Sequence, residues 1–212
     1  MPIQHKYYIN LDTSHERRIK FLGKDYRRWD AVSREEIPEW LDNKMRSMWN
    51  FPKEAHLGRC GCFASHMELY KYIVKNEFND VLIVEDDAVL VKSIPTTYPK
   101  DGITYVGGFF HPQKMMSKEK VVLQSKKGIN YLPSDYRVLM SISYIIPTWE
   151  IAKEILDTIE ERRRYKAIDI MLGDMAINRY YEWPACYVEE GSSSTIAKKQ
   201  KKSNAKYEWV KI

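Results

Sequence analysis

The run Val81-Leu82-Ile83-Val84-Glu85-Asp86-Asp87 constrains this chain more than any other stretch. Four consecutive aliphatic residues fit a strand buried on both faces, as in a parallel sheet covered by helices. Three acids follow with no turn residue between. In open α/β sheets, ligands bind outside the carboxyl ends of the strands. Three adjacent carboxylates repel one another, so a cation or a basic side chain must compensate them. Alternate residues of an extended chain point the same way, so Glu85 and Asp87 can face one ion while Asp86 faces elsewhere. Hard oxygen ligands suit Mg2+ or Mn2+. Such an ion is commonly held by one or two carboxylates plus substrate phosphates and water. The competing reading is a solvated acidic turn, which leaves the abrupt change from apolar to acidic unexplained.

The flanking sequence supplies the elements around this strand. Lys6-Tyr7-Tyr8-Ile9-Asn10-Leu11 is β-prone and reads as a first strand. Asp12-Thr13-Ser14 offers cap chemistry for a helix from His15 to Phe21, and Trp29-Asp30-Ala31-Val32 reads as a second strand. Residues 33–58, with Pro38, Trp40, Trp49 and Pro52, suggest short helices and loops. A helix follows between Gly61 and Lys75. Ser65-His66-Met67-Glu68 fits a capping box at its start; alternatively it begins nearer Arg59, with Ser65 and His66 on an inner face. Ile103-Thr104-Tyr105-Val106 is a strand stopped by Gly107-Gly108, and Ser141 to Ile146 is another. Thr148 caps a helix with Ile151, Ile155, Leu156 and Ile159 on one face. Asp169 caps a last helix through Ile177. The alternation predicts an α/β class with a mostly parallel central sheet flanked by helices.

Composition narrows the function classes. At 212 residues the chain can bury roughly 70% of its unfolded surface without staples. Its 44% apolar and 30% charged content exclude a disordered or collagen-like chain. No apolar run reaches the roughly 20 residues of a membrane span, and the first residues lack the apolar segment of a secretory signal. The net charge of +5 resides in residues 191–212, which hold six lysines and one acid. A nucleic-acid binder would carry that charge on its folded body, so Lys198-Lys199-Gln200-Lys201-Lys202 reads as a solvated tail, or a linker to further domains. Cys60, Cys62 and Cys186 lack the ligand pairs of a structural zinc site. They read as free thiols of a reducing, cytoplasmic compartment, a host's cytoplasm for a viral chain.

Three blocks resemble glycosyltransferase family 25. They are Tyr8-Ile9-Asn10-Leu11-Asp12 with Arg17-Arg18, then Gly61-Cys62 with Ser65-His66, then Glu85-Asp86-Asp87. Trp29-Asp30-Ala31-Val32, Tyr144-Ile145-Ile146 and Ile168-Asp169 extend the similarity over most of the chain. The resemblance implies a Rossmann-like GT-A domain over residues 1–195, with 196–212 as the basic tail. It implies transfer of a sugar from a nucleotide-sugar donor, a UDP-sugar by family habit, to a hydroxyl of a glycan or glycoprotein, with Mn2+ or Mg2+ as cofactor. Tyr8, Ile9, Asn10 and Leu11 would line the nucleotide pocket, and Arg17 or Arg18 would approach the diphosphate. Asp30 and Ala31 would lie near the base or ribose, with Ser65 and His66 under the donor. Asp87 would ligate the metal, and Glu85 or Asp86 would bind metal or ribose. In two respects the chain departs from the family: Arg59-Cys60 stands where relatives carry an acid before the Gly-Cys pair, and no histidine follows His111 to complete a metal site.

An inverting transferase also needs a base for the acceptor hydroxyl. Asp169 is the first candidate and Asp174 the second, although Asp169 equally suits an N-cap. Two other functions compete. A two-metal phosphodiesterase or nuclease would use the same acids but want more acids or histidines at strand ends. A non-enzymatic nucleotide-binding module would be led by the lysine tail.

Overall fold

A computed structural model describes residues 2–45, 52–112, 126–189 and 210–211. The lysine run 198–202 and Trp49 lie outside the described residues. Strand β1 (His5–Asn10) pairs in parallel with β2 (Arg27–Asp30) and with β3 (Val81–Glu85). The sheet continues through β7 (Tyr136–Ile146), β5 (Gly102–Pro112), β8 (Asn178–Trp183) and β6 (Gly128–Tyr131), in the order β2-β1-β3-β7-β5-β8-β6. Five of these seven strands run one way, and β7 and β6 run against them. Two short strands, β4 (Ala88–Leu90) and β9 (Tyr187–Glu189), form a separate ladder, and β10 (Val210–Lys211) pairs with β5.

The expected α/β class therefore holds, and β3 shows why. Val81, Leu82, Ile83 and Val84 are each fully buried. Val81 and Ile83 join the larger core, and Leu82 and Val84 join the core on the opposite face. Helices α3 (Lys53–Lys75), α4 (Trp149–Glu160) and α5 (Ile168–Gly173) contribute to the larger core. Ile151, Ile155, Leu156 and Ile159 of α4 are all buried, as their spacing predicts. The shorter α2 (Glu39–Met45) adds Leu41 and Met45.

Several local expectations are corrected. Helix α3 begins at Lys53, so Ser65 lies mid-helix and caps nothing; the alternative with Ser65 and His66 on the inner face holds. The actual capping box is Ser33 with Glu36, on a short 3-10 turn. The first helix, α1 (His15–Arg18), tightens into a 3-10 turn over Ile19–Phe21. Strand β2 ends at Asp30, before Ala31 and Val32. Gly107 and Gly108 do not stop β5: the β5–β7 register shifts there and the strand continues. A Cβ on Gly107 would meet the Ser143 hydroxyl at 2.5 Å, so glycine lets the irregular strand stay against its neighbour. Asp169 sits inside α5, whose N-cap is Ala167, and the helix stops at Gly173 because the chain turns into β8.

Candidate functional site

The parallel register carries three functional positions to one sheet edge. Asn10 stands opposite Asp30, and Ile9 opposite Glu85, so β1, β2 and β3 release their carboxyl ends together. An open groove lies there, lined by Ile9, Leu11, Arg17, Ala31 and Cys62 among others.

Strand β3 ends at Glu85, and Asp86 and Asp87 lie in the turn that follows, so strand alternation does not set where they point. Asp86 turns toward β1: Asn10 Nδ2 donates to its Oδ2 at 2.8 Å, and Arg17 donates to its Oδ1 at 2.6 Å. Arg18 donates to the Asn10 side-chain Oδ1 at 2.8 Å and to the Asp12 carboxylate at 2.7 Å. Arg17 thus lines the groove while Arg18 braces Asn10. Glu85 turns toward α3, with its Oε1 3.9 Å from Cys62 Sγ and 3.5 Å from His66 Nε2. Asp87 is 7% exposed, and its Oδ1 has no hydrogen-bond partner among the described residues. Burial, then the neighbouring Glu85 and Asp86 charges, push its pKa up to about 7, against smaller opposing effects of Arg17 and Lys20.

Helix α3 forms the groove's other wall. Ser65 donates to the Gly61 carbonyl at 2.6 Å and accepts from the Val32 N–H at 2.8 Å. Its hydroxyl fixes the segment after β2 rather than offering itself to a ligand. Gly61 permits this approach, since a Cβ there would meet the Val32 carbonyl oxygen at 2.8 Å. His66 is buried, with Nδ1 2.6 Å from the Tyr144 hydroxyl, which lies 2.5 Å from that of Tyr70. Burial lowers the His66 pKa to about 4, so the ring is neutral at pH 7. The Cys62 thiol is pushed well above its ordinary value by burial and by Glu85, Asp169 and Asp87. Such surroundings oppose a thiolate and so disfavour a nucleophilic cysteine.

Asp169, on α5, lies close enough to Cys62 and His66 to act on both electrostatically. Its Oδ2 accepts from the Met140 N–H at 3.0 Å and its Oδ1 from the Ile170 N–H at 2.7 Å. Burial raises its pKa against those bonds and the charges of Arg59 and Arg137. Glu85, Asp87 and Asp169 all act on the Cys62 thiol, so residues distant in sequence converge on one place. Asp174 does not join them: Lys166 holds it at 2.6 Å and Arg137 at 3.1 Å. Tyr8 stacks on Phe21 at 4.2 Å in the core of the opposite face, whereas Ile9 and Leu11 line the groove. Asp30 is exposed and paired with Arg28 at 2.5 Å, beside the groove-lining Ala31.

The sequence reading missed Arg34, Val32 and Gly58 in the groove wall, and the Tyr144–Tyr70 pair behind His66. The Ser33–Glu36 cap was a signal for Arg34. Only tertiary pairing reveals Tyr144. Arg59 acts electrostatically on Asp169, and burial lowers its own pKa.

The site offers buried carboxylates, the guanidinium groups of Arg17 and Arg34, and the apolar side chains of Ile9, Leu11 and Ala31. The Asp87 Oδ1 is the fit test for a divalent ion: a buried oxygen without a partner is the group that a cation would satisfy. No described helix is long and apolar enough to cross a membrane.

Residues 3–172 match the family described as glycosyltransferase family 25 (LPS biosynthesis protein). An Anopheles gambiae protein named glycosyltransferase 25 family member is 29% identical over 100 residues, covering 41% of this chain and 17% of its own length. The chain thus spans a small part of that relative.

Proposed function

The chain belongs to glycosyltransferase family 25, and on that premise we propose that it moves a sugar from a UDP-sugar to a hydroxyl of a glycan or glycoprotein, with Mn2+ or Mg2+. Residues 1–195 form the transferase unit and 196–212 a basic tail or linker. Cys60, Cys62 and Cys186 are thiols rather than disulfides, which suits a cytoplasmic location. The observation that carries the reading is the buried, unpartnered Asp87 Oδ1 beside Glu85 at the ends of parallel strands.

Glu85 and Asp87 would hold the ion. When bound, a divalent cation supplies Lewis-acid stabilisation of a departing diphosphate. The protein's own groups do the rest. Asp86 clamps Arg17 so that its charge stays at the groove. Ile9, Leu11 and Ala31 receive the base and ribose. Asp169 carries the raised pKa of a general base and takes the proton from the acceptor hydroxyl, if configuration is inverted. Arg59 tunes that base. Asp174, tied into two ion pairs, ranks behind Asp169.

A thermal-shift panel tests this reading. A UDP-sugar with Mn2+ should raise the melting temperature by more than either alone. Stabilisation by polyanions only, abolished by salt, would instead support the binding module.

A further inference from the structure

Cys62, His66 and Glu85 offer a donor set unlike the oxygen-only pair above. Their ligand atoms lie within 4.8 Å of one another. Cys62 and His66 are four residues apart on α3, so they share a helix face. His66 Nε2 stands 3.5 Å, and Cys62 Sγ 3.9 Å, from Glu85 Oε1. Tetrahedral zinc, with bonds of about 2.0–2.3 Å, holds neighbouring ligands roughly 3.3–3.7 Å apart. The side chains therefore need only small movements to close on an ion.

The histidine is prepared for this role. His66 is 1% exposed, and its Nε2 makes no hydrogen bond among the described residues. Its Nδ1 meets the Tyr144 hydroxyl, which meets that of Tyr70. Metal-binding histidines use such an outer partner to fix the ring and its tautomer. All three residues line the groove, which provides an entry path and a fourth coordination position. A second cluster, Asp42, His56 and Cys60, is less suited, because His56 Nε2 is already bonded to Asp42 at 2.7 Å.

We propose that Cys62 Sγ, His66 Nε2 and Glu85 Oε1 bind a zinc-type divalent cation on the groove floor. Binding releases the Cys62 thiol proton to solvent, and the thiolate, the neutral imidazole and the carboxylate become the ligands. Glu85 is shared with the oxygen site, so a zinc-type ion and the transferase's cation compete for it. That competition rests on the transferase reading; the zinc-type site does not.

The full, reduced, metal-free chain is titrated with Co2+ alone and followed by absorption spectroscopy. The expected result is a thiolate-to-cobalt charge-transfer band with intense tetrahedral d–d bands, saturating at one ion per chain. Cys62→Ser loses the charge-transfer band. A Cys60→Ser/Cys186→Ser double variant, with Cys62 as its sole thiol, keeps it. Tyr144→Phe, which removes the outer partner, weakens Co2+ binding by about 10–100-fold. No band in the wild type, or a band that survives Cys62→Ser, overturns the proposal; loss with Cys60→Ser alone does the same by moving the ion to Asp42 and His56. Neither donor nor acceptor is used, so a missing band leaves the transferase reading intact, and absent sugar transfer leaves this site intact.

Discussion

Asn10 and Asp86, 76 residues apart, meet through a hydrogen bond of 2.8 Å that ties the end of β1 to the end of β3. Arg17 completes the clamp from the other carboxylate oxygen. The middle acid of the triplet is thus committed to the protein.

Asp86→Ala should therefore act on donor binding more than on chemistry. It removes hydrogen bonds to a largely buried charge, worth about 1.5–3 kcal/mol each to charged partners. The expected outcome is a raised KM for the nucleotide sugar with a lower melting temperature. Steady-state kinetics with thermal denaturation checks it; a lost kcat at unchanged KM would place Asp86 in the chemistry instead.

Asp87 and His66 give opposite pH limbs. The folded pKa of Asp87, about 7, lies above its ordinary 3.8. The folded chain then holds the extra proton, and stability falls as pH rises from about 4 to about 7, by up to roughly 4 kcal/mol. His66, lowered from 6.5 to about 4, loses stability in the other direction, as pH falls through that window. In the wild type the two limbs partly offset each other. Asp87→Asn should leave the His66 limb alone: a metal-free variant more stable than wild type near pH 8, losing stability below about pH 6.5. Denaturant titrations across pH decide this, and parallel curves for the two proteins would contradict it.

The β3 strand and its acids were legible because a run buried on both faces leaves no alternative to a central strand. Where Asp86 and Asp87 point was not legible from strand alternation, because the strand stops at Glu85 and both lie in a turn. The start of α3 stays open between two readings in the sequence because Ser65-His66-Met67-Glu68 imitates a capping box, while its serine in fact serves Val32 across the groove. Gly107 and Gly108 imitate a stop, since sequence does not distinguish a glycine that ends a strand from one that admits an irregularity. Asp169 was found as a candidate, but its convergence with Glu85 and Asp87 depends on a tertiary approach that no local pattern encodes.

Ser65→Ala should cost about 1–3 kcal/mol, because the Val32 N–H loses its acceptor. Gly61→Ala should be worse for donor binding, since the new Cβ presses on the Val32 backbone. Calorimetric unfolding and nucleotide affinity together check both; a Gly61→Ala chain with wild-type affinity would show that this wall does not shape the pocket.

Asp169→Asn removes the proposed base. For a positioned general base the expected loss in kcat is about 10²–10⁴-fold, with donor KM little changed. Near-normal turnover would mean that another group, or a retaining mechanism, handles the acceptor proton.

The most direct measurement is release of sugar from a panel of UDP- and GDP-hexoses by wild type and Asp87→Asn, with Mn2+ or with EDTA. The account predicts turnover of a UDP-sugar that requires the cation and falls at least roughly 100-fold in Asp87→Asn, while the variant stays folded. Equal turnover in EDTA, or undiminished turnover by Asp87→Asn, would contradict it.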